Sequence, residues 1–255
     1  MTDLSRFSLE GHTVLVTGAN TGIGQGIAVA IARAGGHVVG AGRSSMDETS
    51  GQVAAAGGRF SPLACDLSQP GAAAAMVEEA WAVHGPLAGL VNNAGIIRRA
   101  DAVDLTEADW DAVIDVNLKA VFQACQAYGR RVLALPEPAG KIVNIASVLS
   151  FQGGIRVASY TAAKSGVAGL TRLLAGEWAA RGIHVNAVAP GYIESNNTEA
   201  LRRDEARSAA ILARIPAGRW GRPDDIGDAV TFLLSRASDY MHGAIVPVDG
   251  GWLAR

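Results

Sequence analysis

The sequence predicts an α/β protein with a parallel sheet covered by helices on both faces. Short apolar runs rich in β-branched residues, such as HTVLVTG at 12–18, alternate along the chain with longer stretches that suit helices. Most of these runs end at a glycine or a polar residue, where a strand gives way to a loop. Strands are predicted at seven places: 12–18, 37–42, 59–66, 86–95, 140–147, 182–191 and 243–251.

Helices fill the gaps between these strands, notably over 22–35, 106–135 and 157–180. The segment 192–222 departs most from the alternation, and it is polar and rich in charge. Ligands of open α/β sheets bind beyond the carboxyl ends of the strands. A segment inserted after the sixth strand is therefore expected to cover the site as a lid. A helical excursion on the surface is the alternative.

Composition limits the classes of function. The chain has 255 residues, of which 49% are hydrophobic, and a formal net charge of −2. It is long enough for a substantial core, and it has no basic cluster of the kind that binds nucleic acid. Two cysteines, Cys65 and Cys125, make no disulfide framework. Because no signal-peptide pattern and no apolar run of roughly 20 residues is present, we expect a cytoplasmic protein that binds neither membrane nor nucleic acid.

A glycine-rich loop, TGANTGIG at 17–24, follows the first strand and opens the first helix. Its spacing differs from the dinucleotide fingerprint G-x-G-x-x-G, but the physical logic is the same. Gly18 permits a tight turn, while Gly22 and Gly24 let the backbone approach a pyrophosphate. The helix N-terminus then offers free N–H groups and a positive dipole end. Glycines also serve ordinary turns, so the position between strand and helix is what supports a phosphate site.

Two further strand ends suit the same nucleotide. Asp66 ends the third predicted strand, where its carboxylate could accept a hydrogen bond from an adenine amino group. The turn Asn92-Asn93-Ala94-Gly95 ends the fourth, where small residues and amides can line a groove. Capping of the following helix is an equal alternative for Asp66 alone.

A possible reactive end lies in SVLSFQGGIRVASYTAAK at 147–164. Tyr160 and Lys164 are four residues apart and share a helix face. Tyrosine has a pKa of about 10, which a nearby ammonium lowers. Tyr160 could then exchange a proton with an alcohol or carbonyl oxygen, to which Ser147 could donate a hydrogen bond. The pair alone is weak evidence, since the same spacing occurs in helices by chance.

Several motifs occur together in a fixed order: TGxxxGIG, NNAG, Asn117 in DVNLKAVF, Ser147, YTAAK and Pro190-Gly191. With them, the whole chain resembles the short-chain dehydrogenase/reductase family. This resemblance implies a single Rossmann-fold domain over residues 1–255, with a doubly wound seven-stranded parallel sheet and a nicotinamide cofactor.

The resemblance also implies an Asn-Ser-Tyr-Lys tetrad. Tyr160 would be the general acid/base, and Lys164 would lower its pKa and bond the nicotinamide ribose. Ser147 would orient the substrate oxygen, and Asn117 would hold a water in a proton relay behind the lysine. Besides Tyr160 and Lys164, the expected cofactor contacts are Gly18, Asn20, Gly22, Ile23, Gly24, Arg43, Asp66, Leu67, Asn93, Ala94, Gly95, Pro190, Gly191, Ile193 and Ser195.

The choice between NAD and NADP stays open. Many NAD-using members of the family carry an aspartate at the end of the second strand, where this chain has Gly42 followed by Arg43. A missing carboxylate beside a guanidinium suits a 2′-phosphate. Thr21, however, stands where NADP-using relatives often have a basic residue, and Arg43 could simply stack on adenine.

Finer stretches, among them VNNAGIIRRAD, SFQGGIRVASYTAAK and VDGGWLAR, resemble the 2-deoxy-D-gluconate 3-dehydrogenase and 2-dehydro-3-deoxy-D-gluconate 5-dehydrogenase branch, which favours NAD. Glu194 and Asn196 depart from that branch. A sugar-acid pocket needs a cation and hydrogen-bonding groups, and a guanidinium can bind a carboxylate through two hydrogen bonds. Arg98 or its neighbour Arg99, Gln152 and Arg156 are the expected substrate contacts, and ion pairs with the chain's own acids are the alternative.

Two rival functions remain. One is reduction of another carbonyl, such as a 3-oxoacyl thioester, although the arginine-bearing IIRRAD and FQGGIR stretches suit an acyl chain poorly. The other is a catalytically silent nucleotide-binding regulatory protein, which the intact tetrad disfavours. The resemblance further implies a homotetramer in which the helices over 106–135 and 157–180 pair across an interface.

Overall fold

The computed structural model describes residues 4–254, so residues 1–3 and 255 of the predicted domain lie outside the described residues. Within this range the strands are β1 (Thr13–Thr17), β2 (His37–Gly42), β3 (Arg59–Ala64), β4 (Gly89–Asn92), β5 (Gly140–Ile145), β6 (Ile183–Pro190) and β7 (Ile245–Val248). The helices are α1 (Gly22–Arg33), α2 (Asp47–Ala55), α3 (Ala72–His84), α4 (Glu107–Ile114), α5 (Ala120–Leu133), α6 (Ala158–Trp178), α7 (Glu199–Arg203), α8 (Glu205–Leu212) and α9 (Pro223–Leu234).

Across residues 4–254 these strands form one seven-stranded sheet in the order β3-β2-β1-β4-β5-β6-β7, and every adjacent pair is parallel. The predicted doubly wound parallel sheet is therefore confirmed. The strand order reverses direction between β1 and β4. Such a switch point leaves a crevice at the carboxyl ends of the strands, where ligands of these folds bind.

Consecutive strand residues point to opposite faces of the sheet, and both faces are apolar. Leu15 packs into a core that includes residues of α3, α5 and α6. Its neighbours Val14 and Val16 pack into a second core that includes residues of α1 and α9. Helices therefore cover both faces, as the alternation of strands and helices predicted.

The helix predicted over 106–135 is interrupted. A π-helical segment, Asp115–Lys119, separates α4 from α5, and it carries Asn117. Such single-turn bulges occur often at functional sites. Several predicted strands are longer than the observed ones. β4, for example, ends at Asn92, because the residues that follow turn out of the sheet to bond the end of β1 and the loop after it.

The segment 192–222 leaves the alternation as predicted, and it contains α7 and α8. Its two ends are joined, because Ile193 pairs with Gly221 in a parallel bridge. The Glu194 N–H donates to the Gly221 carbonyl over 2.8 Å. An apolar cluster that includes Ile211, Trp220 and Trp252 connects the segment to the end of the chain. No helix within residues 4–254 is both long enough and apolar enough to span a bilayer.

Candidate active site

A cleft of about 730 Å³ opens at the carboxyl ends of the central strands. Most residues predicted to contact the cofactor line it: Gly18, Asn20, Gly22, Ile23, Gly24, Arg43, Asp66, Leu67, Asn93, Ala94, Gly95, Tyr160, Lys164 and Ser195. Pro190, Gly191 and Ile193 do not line it. The Gly191 N–H bonds the Val248 carbonyl over 3.0 Å, and Ile193 is 3% exposed in the core beneath α1 and α9.

The glycine loop is bound tightly to the turn after β4. Asn93 Nδ2 donates to the carbonyl oxygens of Thr17 and Gly18 over 2.9 and 3.2 Å. The Thr17 hydroxyl accepts from the N–H groups of Asn93 and Ala94, each over 3.0 Å. A Cβ at Gly24 would lie 2.0 Å from the Gly18 carbonyl oxygen. The loop therefore needs a bare backbone here, which leaves the N-terminus of α1 open toward the cleft.

The other end of the cleft carries polar groups after β2 and β3. Asn20 Nδ2 donates to the Ser44 hydroxyl over 2.8 Å, and a Cβ at Gly42 would lie 3.1 Å from Asn20 Oδ1. Asp66 accepts from the N–H and the hydroxyl of Ser68 over 3.0 and 2.8 Å. These bonds hold the pKa of the Asp66 carboxyl below its usual value. Asp66 thus caps the turn that precedes α3, while it also lines the cleft.

At the reactive end, Tyr160 and Lys164 lie on the first turns of α6, and both face the cleft. Lys164 Nζ is 5.6 Å from the centre of the tyrosine ring. It donates to the Ile145 carbonyl over 2.5 Å and is 4% exposed. Burial lowers the pKa of Lys164 to about 8.

The pKa of Tyr160 is shifted in the direction opposite to the prediction. Burial raises the pKa of Tyr160, and it outweighs two opposing influences: a hydrogen bond with Ser147 and the positive charge of Arg99. Desolvation disfavours the charged phenolate more than these groups favour it. Ser147 lies directly after β5 and also accepts from the Leu149 N–H over 3.1 Å. Ser147 and Tyr160 are therefore adjacent, and burial favours the neutral phenol over the phenolate.

Asn117 lies behind this cleft and does not line it. Its side chain is fully buried. Oδ1 accepts from the Ile96 N–H and Nδ2 donates to the Ile96 carbonyl, each over 2.8 Å. The asparagine thus fixes the loop after β4, part of which lines the cleft. Its predicted role in holding a relay water stays a prediction.

Comparisons with known proteins agree with this geometry. The family model described as enoyl-(acyl carrier protein) reductase matches residues 18–253. The 2-dehydro-3-deoxy-D-gluconate 5-dehydrogenase of Escherichia coli K12 is 54% identical over 252 residues, which are 99% of each chain. A solved candidate 2-deoxy-D-gluconate 3-dehydrogenase from Agrobacterium tumefaciens with bound NADP is 62% identical, with a TM-score of 0.93 over 98% of this chain and 99% of that one. This chain belongs to the short-chain dehydrogenase/reductase family.

The predicted family and its oxidoreductase class are thereby confirmed. Another solved member of the family, a gluconate 5-dehydrogenase from Burkholderia cenocepacia in complex with NADP and tartrate, is 37% identical, with a TM-score of 0.93 over 100% of both chains. Full-length coverage matters because the similarity includes the segment 192–222, part of which lines the cleft, as well as the nucleotide-binding half.

In this short-chain dehydrogenase, the arginines that were expected to contact the substrate are placed differently from that expectation. Arg156 lies outside α6, at a φ of +63°. Its Nε pairs with Asp101 over 3.1 Å, with both side chains more than half exposed. Neither Arg156 nor Gln152 lines the cleft. Arg98 does line it, although its Nε pairs with Asp109 over 3.1 Å. Arg156 therefore forms an ion pair with one of the chain's own acids, as the alternative had it. Arg98 forms such a pair as well, although it lines the cleft.

The positive charge of Arg99 favours a lower pKa of Tyr160. Its Nη2 donates to the Asn197 carbonyl, in the segment 192–222, over 2.9 Å. The IIRRAD stretch contains both arginines: Arg98 lines the cleft, whereas Arg99 does not and contacts the segment 192–222 instead. Other lining residues were missed because they lie on α4 or its π-helical extension: Ala112, Asp115 and Val116.

Proposed function

We propose that this chain is an NAD(P)-dependent dehydrogenase of deoxy sugar acids of the 2-dehydro-3-deoxy-D-gluconate type. The observation that carries the proposal is the position of Tyr160 and Lys164 at one end of a cleft whose other end suits a dinucleotide, with Ser147 bonded to the tyrosine and the positive charge of Arg99 acting on it. The first three can move a proton at a carbinol or carbonyl oxygen, and the arginine supplies a cation for a carboxylate. Relatives with this activity match the chain over nearly its whole length.

The residues present fit a nicotinamide dinucleotide, because the bare glycine loop and the free N-terminus of α1 can receive its phosphates. Bound there, the cofactor would supply the hydride chemistry. The chain's own groups do the rest. Ser147 orients the substrate oxygen by a hydrogen bond, Tyr160 gives or takes the proton on that oxygen, and Lys164 places a positive charge beside the phenol.

We infer that the adenosine end accepts a 2′-phosphate. Gly42 provides no carboxylate to repel it, and Arg43 lines the cleft beside Asn20. The Agrobacterium and Burkholderia relatives bind NADP. A carboxylate side chain at position 42 would also crowd Asn20, because its Cβ would already lie 3.1 Å from that side chain's oxygen.

The lid and the homotetramer belong to the same proposal. The bridge between Ile193 and Gly221 supports a lid that moves as one piece. Exposed apolar side chains on the helices predicted to pair support the interface: Trp110 is 39% exposed, Phe122 37% and Leu173 51%. We expect light scattering to give the mass of four chains, and a Phe122→Asp variant to give a smaller assembly.

The deciding experiment is a substrate panel run in parallel with NAD(H) and NADP(H). It contains 2-dehydro-3-deoxy-D-gluconate, 2-deoxy-D-gluconate, the ketones formed when these two are oxidised, and acetoacetyl thioesters. We expect turnover of the sugar acids, and a Tyr160→Phe variant that loses about 100- to 10,000-fold in kcat while it still binds cofactor. A preference for the thioesters would support an acyl reductase instead. Cofactor binding without turnover of any substrate would support a regulatory protein.

A further inference from the structure

Arg156 holds an unfavourable backbone conformation just before α6. Its φ is +63°, and it is the one residue other than glycine with a positive φ among residues 4–254. Glycine adopts this left-handed region freely, whereas the Cβ of an arginine crowds the following carbonyl oxygen. Gly153 and Gly154 lie close by in the chain, but neither has a positive φ. Strained residues of this kind persist where the surrounding structure holds them, and they cluster at functional sites.

Two contacts with the loop after β4 hold Arg156 in this conformation. Its carbonyl oxygen accepts from the Ala100 N–H over 3.2 Å, and its Nε pairs with Asp101 Oδ1 over 3.1 Å. A relaxed φ would change the direction of the chain at residue 156, and with it at least one of these two contacts. Because the ion pair is exposed at both ends, it adds little to the stability of the fold.

The two segments that Arg156 joins carry side chains at the reactive end of the cleft. On one side, Arg98 lines the cleft, and its loop is fixed at Ile96 by the side chain of Asn117. The contacts with Arg156 fix the same loop a few residues later. On the other side, Tyr160 lies four residues after Arg156, on the first turn of α6, and also lines the cleft.

We propose that Arg156 and Asp101 are positioning residues, whose pair holds the arginine-bearing loop after β4 ready to receive the substrate beside Tyr160. The inference rests on the proposed function and deepens it, since it says how the free enzyme keeps one wall of the sugar-acid site in place. Neither residue lines the cleft, so both act through the loop. Without the pair, the loop has to be ordered when the substrate binds, which weakens binding.

The test removes the pair with and without relief of the strain. Arg156→Gly, Arg156→Ala and Asp101→Asn are each expected to raise KM for 2-dehydro-3-deoxy-D-gluconate by about two- to fivefold. The kcat and the Kd for NADP should change little. Because glycine adopts a positive φ freely, Arg156→Gly should unfold at a higher temperature than Arg156→Ala. If Arg156 had only a structural role, the rise in KM would follow the loss of stability and would spare the glycine variant.

The double variant Arg156→Gly/Asp101→Asn should have the same KM as either single variant, because both changes remove one contact. Arg33→Ala is the matched control. Arg33 forms an exposed ion pair with Asp224 over 3.5 Å at the end of α1, and neither residue lines the cleft. We expect this variant to leave KM unchanged.

Three results would overturn the inference: an unchanged KM in the single variants, increases that multiply in the double variant, or a glycine variant that keeps the wild-type KM. If the wild-type enzyme turns over no sugar acid, the proposed function fails at that step instead, so the two failures are distinguishable.

Discussion

Replacing Asn117 by alanine would separate what this side chain contributes to folding from what it contributes to catalysis. Its amide forms two hydrogen bonds of 2.8 Å with the backbone of Ile96 and is fully buried. Alanine cannot replace either bond. The variant therefore leaves one N–H and one carbonyl unpaired in a site closed to water, next to the loop that lines the cleft.

The structure gives the size of the effect. A buried polar group left without a partner costs about 1–3 kcal/mol. Two such groups, partly relieved by local adjustment, should lower the free energy of unfolding by about 3 kcal/mol. Urea denaturation followed by far-UV circular dichroism measures this loss. Turnover and cofactor affinity should be measured at a temperature where the variant is fully folded.

Asn186, on β6, offers a matched control away from the cleft. It is 1% exposed, donates to the Met241 carbonyl over 2.8 Å and accepts from the Ala244 N–H over 3.0 Å. Asn186→Ala should cost a similar free energy and leave turnover of the folded enzyme intact. A cost below about 1 kcal/mol for Asn117→Ala, or equal loss of turnover in both variants, would refute the reasoning.

Three further predictions follow from particular contacts. Arg43→Ala should weaken NADP binding about tenfold or more and NAD binding much less, as calorimetry would measure; equal weakening would argue for stacking on adenine. Gly24→Ala should weaken cofactor binding, because its Cβ would lie 2.0 Å from the Gly18 oxygen, whereas Gly51→Ala, with open space around it, should be tolerated. Burial lowers the pKa of His184 to about 4, so the unfolded chain binds its proton more readily. The contribution of His184 to the free energy of unfolding should be complete above about pH 6.5 and should fall by about 2 kcal/mol toward pH 4, after allowance for solvent screening. In acid denaturation, His184→Gln should reduce this loss.

The sheet was predictable because its signal is local. Apolar residues at consecutive positions fit a strand covered on both faces, and the glycine loop marks the strand-to-helix junction by itself. The π-helical turn at 115–119 was not predictable, because one added residue hardly disturbs the apolar pattern of 106–135. Its position matters for function, since Asn117 and Asp115 project from it.

The arginines show where sequence reasoning stops. Arg156 stands four residues before Tyr160 and could share a face with it only in a helix that begins before Arg156. The helix begins at Ala158 instead, and Arg156 turns toward Asp101. Which acid pairs with which arginine depends on loops that meet only in the folded chain. Charge in a motif therefore predicts a cationic region, while tertiary contacts decide which cation is free.

The positive charge of Arg99 also acts on Tyr160. Burial pushes both members of the Tyr160–Lys164 pair toward their neutral forms, and oxidation of an alcohol needs the phenol to accept a proton as phenolate. A positive charge favours the phenolate and lowers the tyrosine pKa, so loss of Arg99 should raise it. The pH profile of kcat for oxidation should shift its lower limb to higher pH in Arg99→Gln and stay in place in Arg156→Gly. Identical profiles for the two variants would mean that Arg99 acts on the substrate alone.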